Sequence, residues 1–191
     1  MINDEPAVHL FTPGDPEEPR RAKRLRELGL GQHPDPEFDE FARQLASDTR
    51  APLAMVNFID ADRQYFAGLY APSLVQAGSL PPGAPVPAGD PARVMARDHG
   101  WCPHVVARRL PLVLDDVCDY PRFAGNPVVD EAGIRSYLGA PLIDQATGIA
   151  LGTICIVDRE PRPWGRPGLE FIKARAAAMV DIIHQREQQR G

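Results

Sequence analysis

The sequence predicts an α+β fold in which helices pack on an antiparallel sheet. Two pairs of apolar, strand-like segments are each joined by a short polar turn, and helical patterns flank the pairs. The strands are predicted at residues 53–59, 63–69, 137–143 and 149–157. Because parallel strands need long crossovers, the turns at 60–62 and 144–148 make both pairs antiparallel hairpins.

The N-terminal part predicts a tail followed by two helices. Residues 1–19 mix proline, glycine and acidic residues, so we expect a disordered tail, with one domain at 20–190. Residues 20–30 predict a short helix whose basic cluster is a solvated face or a contact for an acidic partner. Asp35-Pro36-Glu37 is a helix-start signal. The apolar stripe of that second helix is formed by Phe38, Phe41, Ala42, Leu45 and Ala46.

The middle of the chain predicts irregular structure with short elements. Residues 71–90 predict a long loop, either a binding loop or a disordered insertion, and 91–98 a short helix carrying Val94 and Met95. Further short elements are a helical turn ending near Arg109, a strand at 111–114, a loop at 120–127 and a helix at 128–132. The apolar run at 149–157 indicates a central strand with both faces buried.

A long helix is predicted at 167–189, with an apolar seam at alternating steps of three and four residues. The seam is formed by Leu169, Ile172, Ala176, Met179 and Ile183. Such a seam fits a homodimer through terminal helices, and it fits packing on the chain's own sheet.

Composition narrows the classes of function. The 191 residues are 43% hydrophobic with a net charge of -5, which suits one domain and gives no basic field for nucleic acid. No apolar stretch is long enough to span a membrane, and the acidic start lacks a signal peptide. Three scattered cysteines indicate a reducing compartment, so we expect a cytoplasmic protein.

Motifs for catalysis and cofactor binding are missing from the sequence. There is no phosphate-binding loop, no Gly-x-Ser-x-Gly, no Cys-x-x-Cys and no zinc-protease helix. Cys102 and His104 supply two possible metal ligands, fewer than the three or four a site needs, and Pro103 between them favours a structural turn. We therefore expect no metal and no required cofactor.

Six segments in order resemble a GAF domain of the bacterial sensor type. They cover residues 58–66, 101–104, 112–116, 121–127, 133–142 and 151–158, within a match spanning about 24–183. The resemblance implies a five- or six-stranded antiparallel sheet with a pocket on one face. It implies a sensory or regulatory role in signal transduction, with a small molecule bound in that pocket. No output domain is visible, so a separate output protein or a dimer rearrangement would carry the signal.

The candidate ligand-binding residues lie on the strands and loops around that pocket. They are Tyr65, Phe66, Met95, Trp101, Cys102, His104, Asp116, Arg122, Phe123, Asn126 and Tyr137. The aromatic residues suit an apolar pocket with few polar anchors. Asp115 and Asp116 are adjacent on a strand and should face opposite ways, which favours structural roles. Arg122 is expected to pair with Asp116 or Asp119, or to bind an anionic ligand.

Two alternatives to a ligand sensor remain open: a ligand-free interaction module, and a thiol redox switch or enzyme using Cys102 and Cys118. The GAF resemblance includes free methionine-(R)-sulfoxide reductase, and Gly100-Trp101-Cys102 is similar to one of its cysteine motifs. That enzyme's attacking cysteine lies in the segment here spanning 120–140, which has none, so enzyme activity is disfavoured. Bilin attachment is disfavoured because Pro103, not histidine, follows Cys102.

Overall fold

The computed structural model describes residues 14–72 and 91–190. Most of the predicted tail, and the predicted loop from residue 73 to 90, lie outside the described residues. The predicted tail boundary at residue 19 is too late, because α1 spans Glu18–Leu28. Asp15, just before it, binds Arg21 and lies 2.8 Å from Arg97.

The sheet has six strands, each antiparallel to its neighbours, so the predicted fold class is confirmed. The strands are β1 Leu53–Ile59, β2 Arg63–Tyr70, β3 Val94–Ala96, β4 Leu112–Leu114, β5 Ser136–Ile143 and β6 Ala150–Asp158. Their order is β3-β2-β1-β6-β5-β4. The two predicted hairpins are therefore confirmed, and β6 is central and buried along its whole length, as its apolar run predicts.

The third strand was not predicted. We expected a short helix at 91–98, whereas a single 3-10 turn at Pro91–Arg93 leads into β3, which pairs with β2. The guanidinium of Arg93 is fully buried and donates to the carbonyl of Phe66 and to both carboxylate oxygens of Asp39. This anchor places residues 94–96 along the free edge of β2, where their backbone groups complete the ladder.

One face of the sheet is covered by α2 Pro36–Thr49 and α6 Gly165–Arg190. Asp35 caps α2 by accepting from the amides of Glu37 and Phe38, as predicted. The apolar stripe of α2 is buried, also as predicted, and Phe38 comes so close to β2 that a Cβ on Gly68 would lie 2.3 Å from its carbonyl oxygen. Only glycine allows that approach.

The apolar seam of the C-terminal helix packs on its own sheet. Ile172, Ala176, Met179 and Ile183 belong to the same core cluster as the inner side chains of β1, β5 and β6. The interpretation of this seam as a helical dimer contact is therefore wrong, because the sheet already occupies it. Among the described helices, none combines the length and apolarity needed to cross a membrane.

The basic cluster of α1 is a solvated face only in part: Arg20, Lys23 and Arg26 are exposed, as expected, whereas Arg21 and Arg24 are buried. Arg21 is fully buried and donates to the carbonyls of Ile59 and Ala150 at 3.0 and 3.2 Å. Arg24 lies 2.9 Å from Asp144. The two arginines bind carbonyls at the ends of β1 and β6 and the carboxylate of Asp144. Because their donors have these partners, the charged side chains can be buried there.

The other face of the sheet is covered by short elements. These are α3 Cys102–Arg108, a 3-10 turn at Val117–Asp119, α4 Pro121–Ala124 and α5 Pro127–Ala132. The expected loop at 120–127 thus contains one helical turn, because Pro121 occupies the first helical position, where its missing N–H costs nothing. The expected short helices ending near Arg109 and at Gly133 are confirmed.

Candidate functional site

A cavity of about 260 Å³ lies between the sheet and this layer of short helices. Its floor is the face of β1, β2, β5 and β6 that points away from α2 and α6. The lining is Leu53, Met55, Gln64, Phe66, Leu69, Ala92, Val94, Met95, Gly100, Trp101, Cys102, Val128, Ala132, Ile134, Tyr137, Cys155, Val157 and Arg159. Apolar side chains make up nearly all of it, as in most small-molecule sites.

Five of the candidate residues line this cavity: Phe66, Met95, Trp101, Cys102 and Tyr137. The other six do not. Tyr65 follows the alternation of β2 onto the opposite face, where it joins the core beneath α2. Its neighbour Phe66 therefore points to the cavity, as adjacent residues on a strand must face opposite ways.

Asp116 and Arg122 have structural surroundings apart from the cavity. Asp116 accepts from the amide of Cys118 and pairs with Arg135, whose hydrogen bonds hold the pKa of this carboxyl below its usual range. The expected pairing with Arg122 is thus wrong. The guanidinium of Arg122 instead lies over the ring of Phe123, 5.6 Å from its centroid.

His104 and Phe123 pack behind the cavity wall. Their rings meet edge to face with centroids 5.5 Å apart. Burial, together with the positive charges of Arg122 and Arg108, lowers the pKa of His104 to about 4. His104 is therefore a neutral core residue at physiological pH.

Asn126 shapes the cavity without lining it. Its side-chain oxygen accepts from the amides of Gly100 and Val128 at 2.9 and 3.2 Å, and its amide nitrogen donates to the carbonyl of Gly100 at 2.9 Å. One side chain therefore both caps α5 and clamps the backbone ahead of Trp101. Both flanking segments contribute residues to the cavity wall.

An aromatic pair and two thiols form the deepest part of the lining. The rings of Trp101 and Tyr137 lie 5.4 Å apart, and the Tyr137 hydroxyl is 3.4 Å from the sulfur of Cys102. The sulfurs of Cys102 and Cys155 are 3.6 Å apart, and both residues are buried. Hydrogen bonding from Cys155 lowers the pKa of Cys102 despite burial, whereas bonding to Cys102 and burial both raise the pKa of Cys155.

Comparison with known proteins decides the family. The GAF domain family matches residues 33–182. The chain belongs to the GAF domain family. It is 31% identical over 179 residues to the cyclic di-GMP phosphodiesterase PA2567 of Pseudomonas aeruginosa, a match covering 92% of this chain and 27% of that protein. The chain thus spans about a quarter of the length of that relative.

Solved structures show the same fold at low identity. A methyl-accepting chemotaxis protein, residues 122 to 287, superposes with a TM-score of 0.58 at 17% identity, covering 88% of this chain and 98% of the other. The free methionine-R-sulfoxide reductase of Neisseria meningitidis, in complex with its substrate, superposes with a TM-score of 0.59 at 12% identity. That match covers 91% of this chain and 89% of the other. At these identities the superpositions show that the fold is shared.

The thiols of this GAF domain do not have the arrangement we expected for a redox pair. Cys118 is exposed on the 3-10 turn, whereas Cys102 is buried in the cavity wall. The buried neighbour of Cys102 is instead Cys155, whose sulfur lies 3.6 Å from that of Cys102. Among the described residues, no group of three or more His, Cys, Asp and Glu side chains is arranged to hold a metal.

Sequence reasoning missed several residues on the cavity floor of the GAF domain. Leu53, Met55, Gln64, Cys155 and Val157 all line it. The sequence feature that could have identified them is the alternation of side chains along a strand. Because residues two apart lie on the same face, placing Phe66 in the pocket also places Gln64 there. The alternation of β1 and β6 gives the remaining four in the same way, because Met55 pairs with Cys155 and Leu53 with Val157.

Proposed function

We propose that this GAF domain is a non-catalytic sensory domain that binds a small molecule in the cavity between the sheet and the short helices. The observation that carries the proposal is the cavity itself, about 260 Å³ and lined by apolar side chains. A core without function would close such a space, since interiors pack densely and each void costs stability. The rings of Trp101 and Tyr137, tilted by 60° to each other, supply aromatic surface of the kind that ligand sites use.

The size of the cavity limits its ligand. Small-molecule sites usually start at roughly 300 Å³, slightly above the 260 Å³ found here. An apolar cavity of about 150 Å³ is large enough for benzene. A ligand of one or two rings fits this cavity, whereas a tetrapyrrole or a cyclic dinucleotide is far too large for it.

The signal would pass to another protein or through rearrangement of a homodimer. The relative from Pseudomonas aeruginosa is named a cyclic di-GMP phosphodiesterase, and the chain matches 27% of it. A regulatory domain attached to, or acting on, such an output enzyme fits that match. A dimer contact would use the outer side of α6, because the inner side packs on the sheet.

Native mass spectrometry of the purified protein, compared with the denatured sample, tests the proposal. We expect extra mass in the native spectrum only, from a retained ligand. Ala132→Trp would fill the rim of the cavity from an exposed position and should abolish that mass. Ala146→Trp, in the exposed turn between β5 and β6, is the matched control and should keep it. Retention by both variants would show that the ligand lies elsewhere.

A thiol redox switch is a second candidate function, favoured by the 3.6 Å separation of Cys102 and Cys155. With hydrogen peroxide as oxidant, the thiolate of Cys102 attacks one oxygen and the O–O bond breaks, giving a sulfenic acid and a hydroxide ion that takes up a proton to become water. The sulfur of Cys155 then attacks that of Cys102 and releases a second water. The S–S bond of about 2.05 Å requires only a small approach of α3 to β6.

Peptide mapping after peroxide treatment tests the switch. The switch predicts a Cys102–Cys155 disulfide that also forms in a Cys118→Ser variant. Cys118 is exposed, so it serves as an internal control for oxidant exposure. Oxidation confined to Cys118 would reject the switch.

A further inference from the structure

The polar side chains of the cavity lining differ in whether their hydrogen-bonding groups already have partners within the protein. Gln64 lies in the lining, but its side-chain oxygen accepts from Asn57 at 2.8 Å. Its nitrogen donates to the carbonyls of Ala96 and His99 at 2.9 and 2.6 Å. Gln64 is therefore saturated by the protein and has no donor left for a ligand.

Arg159 is the charged residue in the described part of the lining. Unlike Gln64, it keeps hydrogen-bond donors that no other described residue uses. It lies just beyond the end of β6, where its Nε donates to the carbonyl of Ala132 at 3.0 Å. Within residues 14–72 and 91–190, its two terminal nitrogens have no hydrogen-bond or ion-pair partner. Anchoring through Nε fixes the plane of the guanidinium at the rim and leaves the outer nitrogens available.

Other arginines of the domain are engaged by carboxylates. Arg21, Arg24, Arg93 and Arg135 all form ion pairs with aspartates. Arg159 is held by a helix-end carbonyl beside the apolar cavity, and among the described residues no carboxylate pairs with it. A carboxylate from outside the chain would satisfy its remaining donors in the bidentate geometry that guanidinium groups favour.

We propose that the ligand is a compact aromatic or branched apolar molecule with one carboxylate, its body in the cavity and its carboxylate on Arg159. This inference rests on the proposed function and adds the ligand class to it. The apolar floor accepts the body, and Arg159, the one cation in the described part of the lining, accepts one negative charge. A neutral isostere would leave the guanidinium without its partner, and a cationic one would be repelled by it.

Two probes of the same shape test the ligand class. Naphthalene-2-carboxylate and naphthalene-2-carboxamide differ in charge and little else, and titration calorimetry gives their dissociation constants. We expect the carboxylate to bind wild type about tenfold tighter or more, as a charge-assisted hydrogen bond provides. In Arg159→Gln the preference should vanish while the amide binds as before. Arg166→Gln, which removes an exposed arginine at the start of α6, should retain the preference.

The outcomes separate this inference from the proposed function. Equal affinity of wild type for both probes, or an unchanged preference in Arg159→Gln, overturns the ligand class. If both probes still bind and Ala132→Trp excludes them, the cavity nevertheless binds small molecules and the sensory proposal stands. If neither probe binds and native mass spectrometry finds no ligand, both proposals fail.

Discussion

Replacing Asn126 by alanine should loosen the cavity wall, because one side chain holds two backbone segments. The substitution removes the cap of α5 and both hydrogen bonds to the backbone of Gly100. An N-cap asparagine contributes about 1 kcal/mol, and each of the other two bonds about 1 kcal/mol net. Asn126 is fully buried, whereas Gly100 is half-buried, so water can replace part of the loss. We expect about 2–3 kcal/mol of destabilisation.

A matched variant separates the bonds of Asn126. Asn126→Asp keeps the oxygen that accepts from Gly100 and Val128, but loses the nitrogen that donates to the Gly100 carbonyl. It places a second oxygen against that carbonyl instead. We expect a cost at least as large as that of Asn126→Ala, because the new carboxylate is buried without a cation and faces a carbonyl oxygen.

Urea unfolding followed by circular dichroism measures the free energies of unfolding, and hydrogen exchange at the Gly100 amide reports the local effect. Exchange at Gly100 should quicken in Asn126→Ala and stay closer to wild type in Asn126→Asp, whose oxygen still accepts from that amide. A change of less than about 0.5 kcal/mol in Asn126→Ala, the range of ordinary surface substitutions, would refute the assigned role.

Three further predictions concern the core. His104 takes up a proton near pH 4 when folded but near 6.5 when unfolded, so stability should fall by at most about 3 kcal/mol as pH drops through that interval. His104→Leu should flatten this slope in pH-dependent urea melts. Gly139→Ala should cost about 1–3 kcal/mol in thermal melts, because its Cβ would lie 2.2 Å from the Tyr137 hydroxyl; an unchanged melt would contradict this packing. Met179→Asp should unfold the domain instead of yielding folded monomers on size exclusion, whereas Lys173→Asp, exposed on the same helix, should not.

The sequence was informative wherever one local period continued over a whole element. The apolar runs of β1 and β2, joined by a short polar turn, predict a hairpin without knowledge of the remaining chain. β3 gave no such signal, since three residues are too few to show a period. Its formation depends on Arg93 reaching Asp39, which lies 54 positions away in the sequence. A contact of that kind can be found only after the chain has folded.

The candidate site was predictable in part. Site residues on strands could be placed from the regular alternation of side chains, whereas those on short helices could not. Phe66 and Tyr137 could be placed because strand alternation assigns a face once the sheet is known. His104, Phe123 and Asn126 were placed in the pocket but lie behind or beside it, because short helices provide too little periodicity to tell inward from outward. Arg159 was missed because an exposed arginine after a strand has an ordinary appearance until its carbonyl anchor is seen.

The two faces of the sheet differ in a way that suits a sensor. Beneath α2 and α6, one continuous core holds long helices to the sheet. Over the cavity, the helices have seven, four and six residues. A second apolar cluster holds them, together with individual bonds such as the Asn126 clamp and the Asp116–Arg135 pair. Segments with few buried contacts open at lower free energy than the core. A ligand wedged between sheet and cover would therefore shift the cover and leave the helix face intact, and a partner that contacts the cover could detect that shift.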